Sequence, residues 1–193
     1  MNLPNKLTLA RMLATPIFLI LLMWNFKYHF IAALVLFIAA SLTDMFDGKY
    51  ARKHNMVTDF GKFLDPIADK MLVTAALIGF CAMEIGGKGI AAVLFIMLFR
   101  EFLVSSIRMI AAASPSKKVI AANIWGKLKT VSQMVAIIYI LAAEALKEIL
   151  AISTLSAVLD LFTIILLWIA TALAVISGAI YLFDNREYIN TAK

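Results

Sequence analysis

The sequence is poor in cysteine, histidine, proline and charge. Its 193 residues include one cysteine, two histidines and four prolines, and 16% of them are charged. With Cys81 as the single thiol, the chain cannot form an internal disulfide or assemble a zinc site from cysteines. A soluble domain is about a quarter charged, so this chain has too few charged residues to cover a water-exposed fold of its size.

The sequence is correspondingly rich in apolar residues. They make up 63% of the chain, and the mean hydropathy is +0.93. This excess predicts a polytopic membrane protein with a single integral-membrane domain over residues 1–193. The apolar stretches predict an all-α fold of six transmembrane helices at Leu7–Trp24, Phe30–Tyr50, Gly61–Met83, Ile90–Ala113, Ile124–Ala145 and Leu155–Phe183. The fifth of these helices is expected to end before Lys147 and Glu148.

The basic residues predict the orientation of these helices. The net charge is +6, which in a membrane protein indicates basic cytoplasmic loops and anionic lipids or phosphorylated substrates rather than nucleic acid. With six spans, the termini share one side with the second and fourth loops, and that side holds most of the lysines and arginines. The opposite side has only Lys27, Lys88 and Lys147. We therefore expect a multi-pass protein of the cell membrane with both termini in the cytoplasm.

Four aspartates, Asp44, Asp47, Asp65 and Asp69, stand in an otherwise membrane-like segment. Ionisable residues at membrane depth are costly and by default mark a functional site. The first two are three residues apart and the last two are four apart, so each pair lies on one helix face. A short loop makes the two helices antiparallel neighbours, and the four carboxylates can converge at the cytoplasmic face. One or two divalent cations would relieve their mutual repulsion, since hard cations prefer carboxylate oxygens.

Small and basic residues are interleaved with the aspartates, namely Gly48, Ala51, Arg52 and Gly61. The complete pattern, D-x2-D-G-x2-A-R-x8-G-x3-D-x3-D, resembles the signature of the CDP-alcohol phosphatidyltransferases at every fixed position. The resemblance implies that family's six-helix membrane fold, a homodimer and a CDP-linked lipid as substrate. It also implies that these four residues belong to the CDP-lipid site. There Gly48 and Ala51 would leave room for the cytidine, and Arg52 would lie near the nucleotide phosphates.

The same resemblance implies roles for the aspartates. Two divalent cations, usually Mg²⁺ or Mn²⁺, would be bound by Asp44, Asp47 and Asp65, and Asp69 would contact the second of them. Asp69 would also be the catalytic general base. It would take a proton from an acceptor hydroxyl, which attacks the lipid-linked phosphorus and expels CMP.

Four other basic residues bear on the acceptor. Arg100 and Arg108 are eight apart on the fourth helix and roughly share a face, and Lys127 and Lys129 begin the fifth helix. Arg100 could simply pair with Glu101 or with an aspartate, and the lysines could be ordinary cytoplasmic anchors. Together the four favour a phosphate-binding pocket, because arginine suits bidentate phosphate recognition and lysine adds point charge.

These segments, with the opening Leu3–Thr8 and Arg11, also resemble the phosphatidylglycerophosphate synthases, the bacterial branch of the family. The resemblance implies sn-glycerol 3-phosphate as the acceptor and phosphatidylglycerol phosphate as the product, in phospholipid biosynthesis. Two other acceptors stay open: phosphatidylglycerol, as in a cardiolipin synthase, and inositol phosphate. A divalent-cation transporter is a remote alternative, because the acids cluster at one face and the outer halves of helices 2 and 3 are apolar.

Three residues have no part in this site. Asp160 is isolated in the last apolar segment, where it could cap a helix or pair within a subunit interface. His29 and His54 fall in different loops and are expected at the surface.

Overall fold

In the residues that it describes, the structure, a computed structural model, has six α-helices. It describes residues 3–53, 59–113, 124–150 and 153–186, and within these ranges the side chains of 3, 4, 44–53, 59–63, 65, 66, 69, 112, 113, 153 and 154 are not described. The helices are α1 Leu3–Met23, α2 His29–Lys53, α3 Asp59–Ala82, α4 Ile90–Ala113, α5 Ile124–Leu150 and α6 Ser153–Asp184. No strand occurs in the described ranges, so the predicted all-α fold is confirmed.

The connection between α3 and α4 follows its glycines. Gly86 and Gly87 have φ angles of 95° and 71°, values that glycine adopts without steric cost. A short 3₁₀ turn over Gly87–Gly89 then leads into α4. The predicted break in this region is confirmed.

The end of α5 differs from the prediction. The helix continues through Lys147 and Glu148 to Leu150. Lys147 Nζ donates to Glu144 Oε1 at 2.6 Å, three residues earlier on the same face. A pair at this spacing supports a helix, and a lysine near the C-terminus also complements the helix dipole. The charged dipeptide therefore belongs to the last turns of the helix, and the expected break before it is wrong.

The chain divides into two compact units, the first of which comprises residues 1–85 and 137–159. In this unit α1 packs against both α2 and α3. Phe18 of α1 and Phe37 of α2 are fully buried, and their ring centroids are 5.7 Å apart. Gly79 of α3 lies against Leu22 of α1, where an added Cβ would come 2.4 Å from Leu22 Cδ2. Helix α1 is therefore the central element that holds α2 and α3.

The turn between α1 and α2 is fastened to the end of α5 within the same unit. Tyr28 has a φ of 70°, and its backbone N–H donates to Glu148 Oε1 at 2.5 Å. His29 is only 8% exposed, its Nδ1 lies 2.9 Å from the carbonyl oxygen of Leu22, and its ring lies against Phe30. The expectation of a surface position for His29 is therefore wrong. His54 lies outside the described residues.

The second unit comprises residues 86–136 and 160–193. Val104 and Ile107 of α4 form a buried cluster with Tyr181 of α6, and Leu103 and Leu182 pack against it. This cluster fixes the mutual register of α4 and α6 beside the basic residues of α4. Asp160 is exposed in the second turn of α6.

Three stretches of the described chain are long and apolar enough to cross a membrane. They are Asn5–Met23, Gly87–Ala111 and Leu155–Asp184, and the described parts of α2 and α3 add shorter apolar stretches at His29–Thr43 and Lys70–Ala82. Large apolar side chains such as Phe95, Phe102 and Phe183 are exposed on these elements. A water-exposed fold would bury such residues, so the protein is a membrane protein.

Candidate active site

The predicted metal ligands lie on two helices of the first unit. Asp44 and Asp47 fall in the last turns of α2, and Asp65 and Asp69 fall in the first half of α3. Because both segments are helical, spacings of three and four residues place each pair on one helix face. The carboxylates themselves lie outside the described side chains, so their convergence and their metal binding stay predictions. Among the side chains that are described, no group of three or more acidic, histidine or cysteine residues could hold a metal ion.

The helix register of α3 places the second aspartate pair beside a buried stripe. Leu64, Ala68 and Leu72 are buried at four-residue intervals. Positions 65 and 69 each follow a member of this stripe by about 100° around the helix axis. They therefore lie at one edge of the packed face of α3.

The predicted CDP-lipid residues belong to the same helices. Gly48, Ala51 and Arg52 are in the last turns of α2, and Gly61 is in the first turn of α3. Their side chains and surroundings lie outside the described part of the structure, so their roles stay predictions. What the backbone establishes is that the motif spans the end of one helix and the start of the next.

Arg100 is held between its neighbour on α4 and a serine on α6. Its side chain is 11% exposed. One terminal nitrogen, Nη2, donates to Ser177 Oγ at 2.6 Å, and Nη1 donates to Glu101 Oε1 at 3.3 Å. Gly178 allows this approach, since a Cβ there would lie 3.1 Å from Arg100 Cγ. The Arg100–Glu101 pair considered from the sequence is therefore present, together with a second partner that the sequence did not indicate.

Arg108 contacts α6 one helical turn further on. Its Nε donates to the hydroxyl oxygen of Tyr181 at 3.1 Å, and its guanidinium carbon lies 5.5 Å from the centroid of that ring. Tyr181 is 3% exposed, whereas Arg108 is largely exposed. In the described part of the chain the two terminal nitrogens of Arg108 make no hydrogen bond. The side chain is thus fixed at its Nε while its outer end is available.

The two lysines of α5 differ in their surroundings. Lys129 is buried, and its ammonium group binds Glu101 Oε1, the atom that also accepts from Arg100. Lys127 is exposed. Two residues along a helix correspond to about 200° of rotation, so these lysines cannot share a face. The structure brings Arg100 and Lys129 together around Glu101, and Arg108 of α4 contacts Tyr181 of α6. It does not bring Lys127 to this group.

Sequence reasoning missed the α6 partners of the arginines. Ser177 and Tyr181 stand in an apolar stretch that reads as an ordinary membrane span. Their four-residue spacing, with Gly178 between them, was the available signal, because it puts two hydroxyl groups on one face of a helix.

Comparisons with known proteins agree with the sequence resemblance. The sequence model of the CDP-alcohol phosphatidyltransferase family matches residues 1–179. A CDP-diacylglycerol–glycerol-3-phosphate 3-phosphatidyltransferase of Bacillus subtilis (strain 168) is 38% identical over 99% of this chain and 98% of its own. The protein of the same name from Rickettsia bellii is 37% identical over 97% of each chain. A probable phosphatidylglycerophosphate synthase of Mycobacterium tuberculosis is 38% identical over 92% of this chain and 84% of its own.

Proposed function

Because this chain belongs to the CDP-alcohol phosphatidyltransferase family, we propose that it transfers the phosphatidyl group from CDP-diacylglycerol to sn-glycerol 3-phosphate. The products are phosphatidylglycerol phosphate and CMP, and the reaction belongs to phospholipid biosynthesis. The observation that carries this proposal is the match, over nearly the whole chain, to relatives named for this reaction. Family membership also favours an enzyme over the divalent-cation transporter.

Asp69 is the proposed general base. A carboxylate positioned beside a hydroxyl can take its proton as the oxygen attacks, a contribution of roughly a hundredfold to ten-thousandfold in rate. The acceptor oxygen forms a bond to the lipid-linked phosphorus, and the bond from that phosphorus to the CMP oxygen breaks. The proton passes to Asp69 and the negative charge leaves with CMP, so atoms and charges balance.

Asp44, Asp47, Asp65 and Asp69 are the proposed ligands of two divalent cations, Mg²⁺ or Mn²⁺. The donor set fits such ions, because it consists of carboxylates at helical spacings on the adjoining ends of α2 and α3. When bound, the ions supply charge stabilisation for the pyrophosphate and the leaving CMP.

We assign the remaining residues of the motif to binding of the nucleotide half of the lipid substrate. Gly48 and Ala51 have small side chains that leave space for the cytidine, and Gly61 belongs to the same proposed site. Arg52 is long enough to reach the nucleotide phosphates. These assignments rest on the motif and on the helical backbone that carries it.

Arg100, Arg108 and Lys129, with Lys127 as the exposed member, are the proposed acceptor-phosphate residues. The phosphate of glycerol 3-phosphate needs donors that can make charge-assisted hydrogen bonds. The contacts of Arg100 with Ser177 and of Arg108 with Tyr181 support this assignment, because they hold the two guanidinium groups along the same stretch of α6.

The test is a CMP-release assay with purified protein in detergent micelles. CDP-diacylglycerol and Mg²⁺ or Mn²⁺ are supplied with glycerol 3-phosphate, phosphatidylglycerol or inositol phosphate in turn. Release with glycerol 3-phosphate, and its loss in Asp69→Asn, is the expected result. Release only with one of the other two acceptors would overturn the proposed acceptor.

The site is proposed to face the cytoplasm, and the protein is proposed to be a homodimer. The uneven distribution of lysine and arginine supports the first proposal. The family resemblance supports the second. Light scattering of the protein in micelles, corrected for bound detergent, would give one chain or two.

A further inference from the structure

The last transmembrane helix carries two hydroxyl groups at the level of the basic residues. Ser177 is fully buried and Tyr181 is 3% exposed. Their four-residue spacing places them on one face of α6, and Gly178 follows Ser177 directly. A hydroxyl buried without a partner is unfavourable, and each of these two accepts a hydrogen bond from an arginine of α4. We call Ser177, Gly178 and Tyr181 the α6 face.

Ser177 and Gly178, at the N-terminal end of the α6 face, fix Arg100 in two ways. Ser177 Oγ accepts from the terminal Nη2, and at 2.6 Å this is a short contact. Gly178 leaves the volume that the Arg100 stem fills, because a Cβ would press on Cγ at 3.1 Å. Two adjacent residues of α6 therefore determine where the guanidinium group and the aliphatic part of Arg100 lie.

Tyr181, the third residue of the α6 face, fixes Arg108 at its Nε. The Tyr181 hydroxyl accepts from Nε at 3.1 Å, and the ring lies within cation–π distance of the guanidinium. Tyr181 is itself held by Val104 and Ile107 of α4. The guanidinium plane of Arg108 is thus oriented by a buried side chain that is packed in place.

Arginine side chains have many rotamers, and binding a ligand with a free arginine requires ordering it. Contacts that order the side chain beforehand reduce this loss and strengthen binding. We propose that Ser177, Gly178 and Tyr181 are positioning residues that preorganise Arg100 and Arg108 for the acceptor phosphate, and so set the affinity for glycerol 3-phosphate. This proposal rests on the proposed function, since it concerns the same acceptor site.

The test uses changes that remove one hydroxyl and little else. Tyr181→Phe keeps the ring and its packing, and Ser177→Ala loses the partner of Arg100. Each should raise the KM for glycerol 3-phosphate about tenfold, the effect of losing one hydrogen bond to a charged group. The kcat and the KM for CDP-diacylglycerol should stay within about twofold of the unmodified enzyme. Ser177→Thr, which keeps a hydroxyl, should restore the acceptor KM.

Matched controls come from two hydroxyl groups that donate to backbone carbonyl oxygens. Thr171 of α6 donates to its own helix at Leu167 O, and Tyr139 of α5 donates to Leu159 O. Thr171→Val and Tyr139→Phe should leave the acceptor KM unchanged. An equal rise of this KM in the controls would show a general packing effect and would overturn the positioning role.

Calorimetric titration with glycerol 3-phosphate alone separates this proposal from the proposed function. If the unmodified protein does not turn over glycerol 3-phosphate but Tyr181→Phe weakens its binding, the function fails and the positioning role stands. If turnover occurs but Tyr181→Phe and Ser177→Ala leave both KM and Kd unchanged, the positioning role fails and the function stands. Absence of both turnover and binding of glycerol 3-phosphate in the unmodified protein overturns both.

Discussion

Glu101 of α4 binds the ammonium group of Lys129, 28 residues further along the chain on α5. The same carboxylate oxygen accepts from Arg100 at 3.3 Å. One acid therefore joins two of the proposed phosphate-binding cations within the second unit. Lys129 is buried, and removal of a carboxylate that contacts a buried ammonium group is costly.

Because Glu101 contacts both cations, we expect changes at Glu101 and at Lys129 to lower the stability by different amounts. Glu101→Gln removes the carboxylate that contacts both Lys129 and Arg100, and it should lower the free energy of unfolding by about 3 kcal/mol. Lys129→Met should cost less, because Glu101 keeps Arg100 as a partner. Unfolding of the protein in mixed micelles by added denaturing detergent measures both.

The double variant Glu101→Gln with Lys129→Met completes a cycle. We expect it to be less destabilised than the sum of the single variants, with a coupling of about 1–3 kcal/mol. Strict additivity would show that the contact between the two residues contributes nothing to stability.

Asp69→Asn should lower kcat by roughly a hundredfold to ten-thousandfold, because the amide cannot take the acceptor proton. Binding of CDP-diacylglycerol, measured by competition with a labelled lipid, should change little. Asp160→Asn is the control, since Asp160 is an exposed carboxylate outside the motif, and it should keep full activity. Full turnover in Asp69→Asn would remove this residue as the base.

Removal of divalent cations with a chelator should reduce CMP release by at least about a hundredfold, because bound metal supplies several kcal/mol of charge stabilisation. Adding Mg²⁺ or Mn²⁺ in excess should restore it. Asp44→Asn should raise the metal concentration needed for half-maximal activity. Chelator-resistant activity would contradict the proposed metal site.

A larger side chain at position 79 is expected to clash with α1 in the first unit. Gly79→Ala places a Cβ 2.4 Å from Leu22 Cδ2 and should lower stability by about 1–3 kcal/mol, the usual cost of overpacking. Leu22→Val in the same chain should relieve part of this loss. Thermal unfolding in micelles compares the variants, and a Gly79→Ala protein as stable as the parent would show that the Leu22 side chain moves aside at little cost.

The single cysteine makes the proposed orientation testable. In a Cys81→Ala background, Lys27→Cys should react with a membrane-impermeant maleimide on intact cells. Lys117→Cys should react only after the membrane is permeabilised. The parent without cysteine should stay unlabelled, and the reverse pattern at the two positions would invert the topology.

The helices and the motif could be predicted because their signals are local. Apolar runs bounded by glycine and lysine indicate all six helices, and fixed spacings identify the family. The errors have physical causes as well. His29 follows the interhelical residues Asn25 and Lys27 in the sequence, yet its ring is buried against Phe30 and the Leu22 carbonyl. Lys147 and Glu148 read as a break, but an ion pair with Glu144 keeps them helical.

The partners of the arginines could not be predicted, since they join residues more than seventy positions apart. Arg100 reaches Ser177 and Arg108 reaches Tyr181 only because α4 and α6 pack in one register. The exposure of Lys127 follows in the same way from its rotation relative to Lys129. Local patterns identified the charges, and tertiary packing decided which of them lie together.

The network around Glu101 has a consequence for charge stoichiometry. Among the described side chains, Arg100, Arg108 and Lys129 carry three positive charges and Glu101 carries one negative charge, so these four together carry a net charge of two. A phosphate monoester is close to a dianion at neutral pH, and it would leave such a cluster neutral when bound. A phosphodiester such as phosphatidylglycerol carries one negative charge and would leave one positive charge without compensation. With one acid among its bases, the proposed acceptor site is expected to favour a phosphate monoester over a phosphodiester.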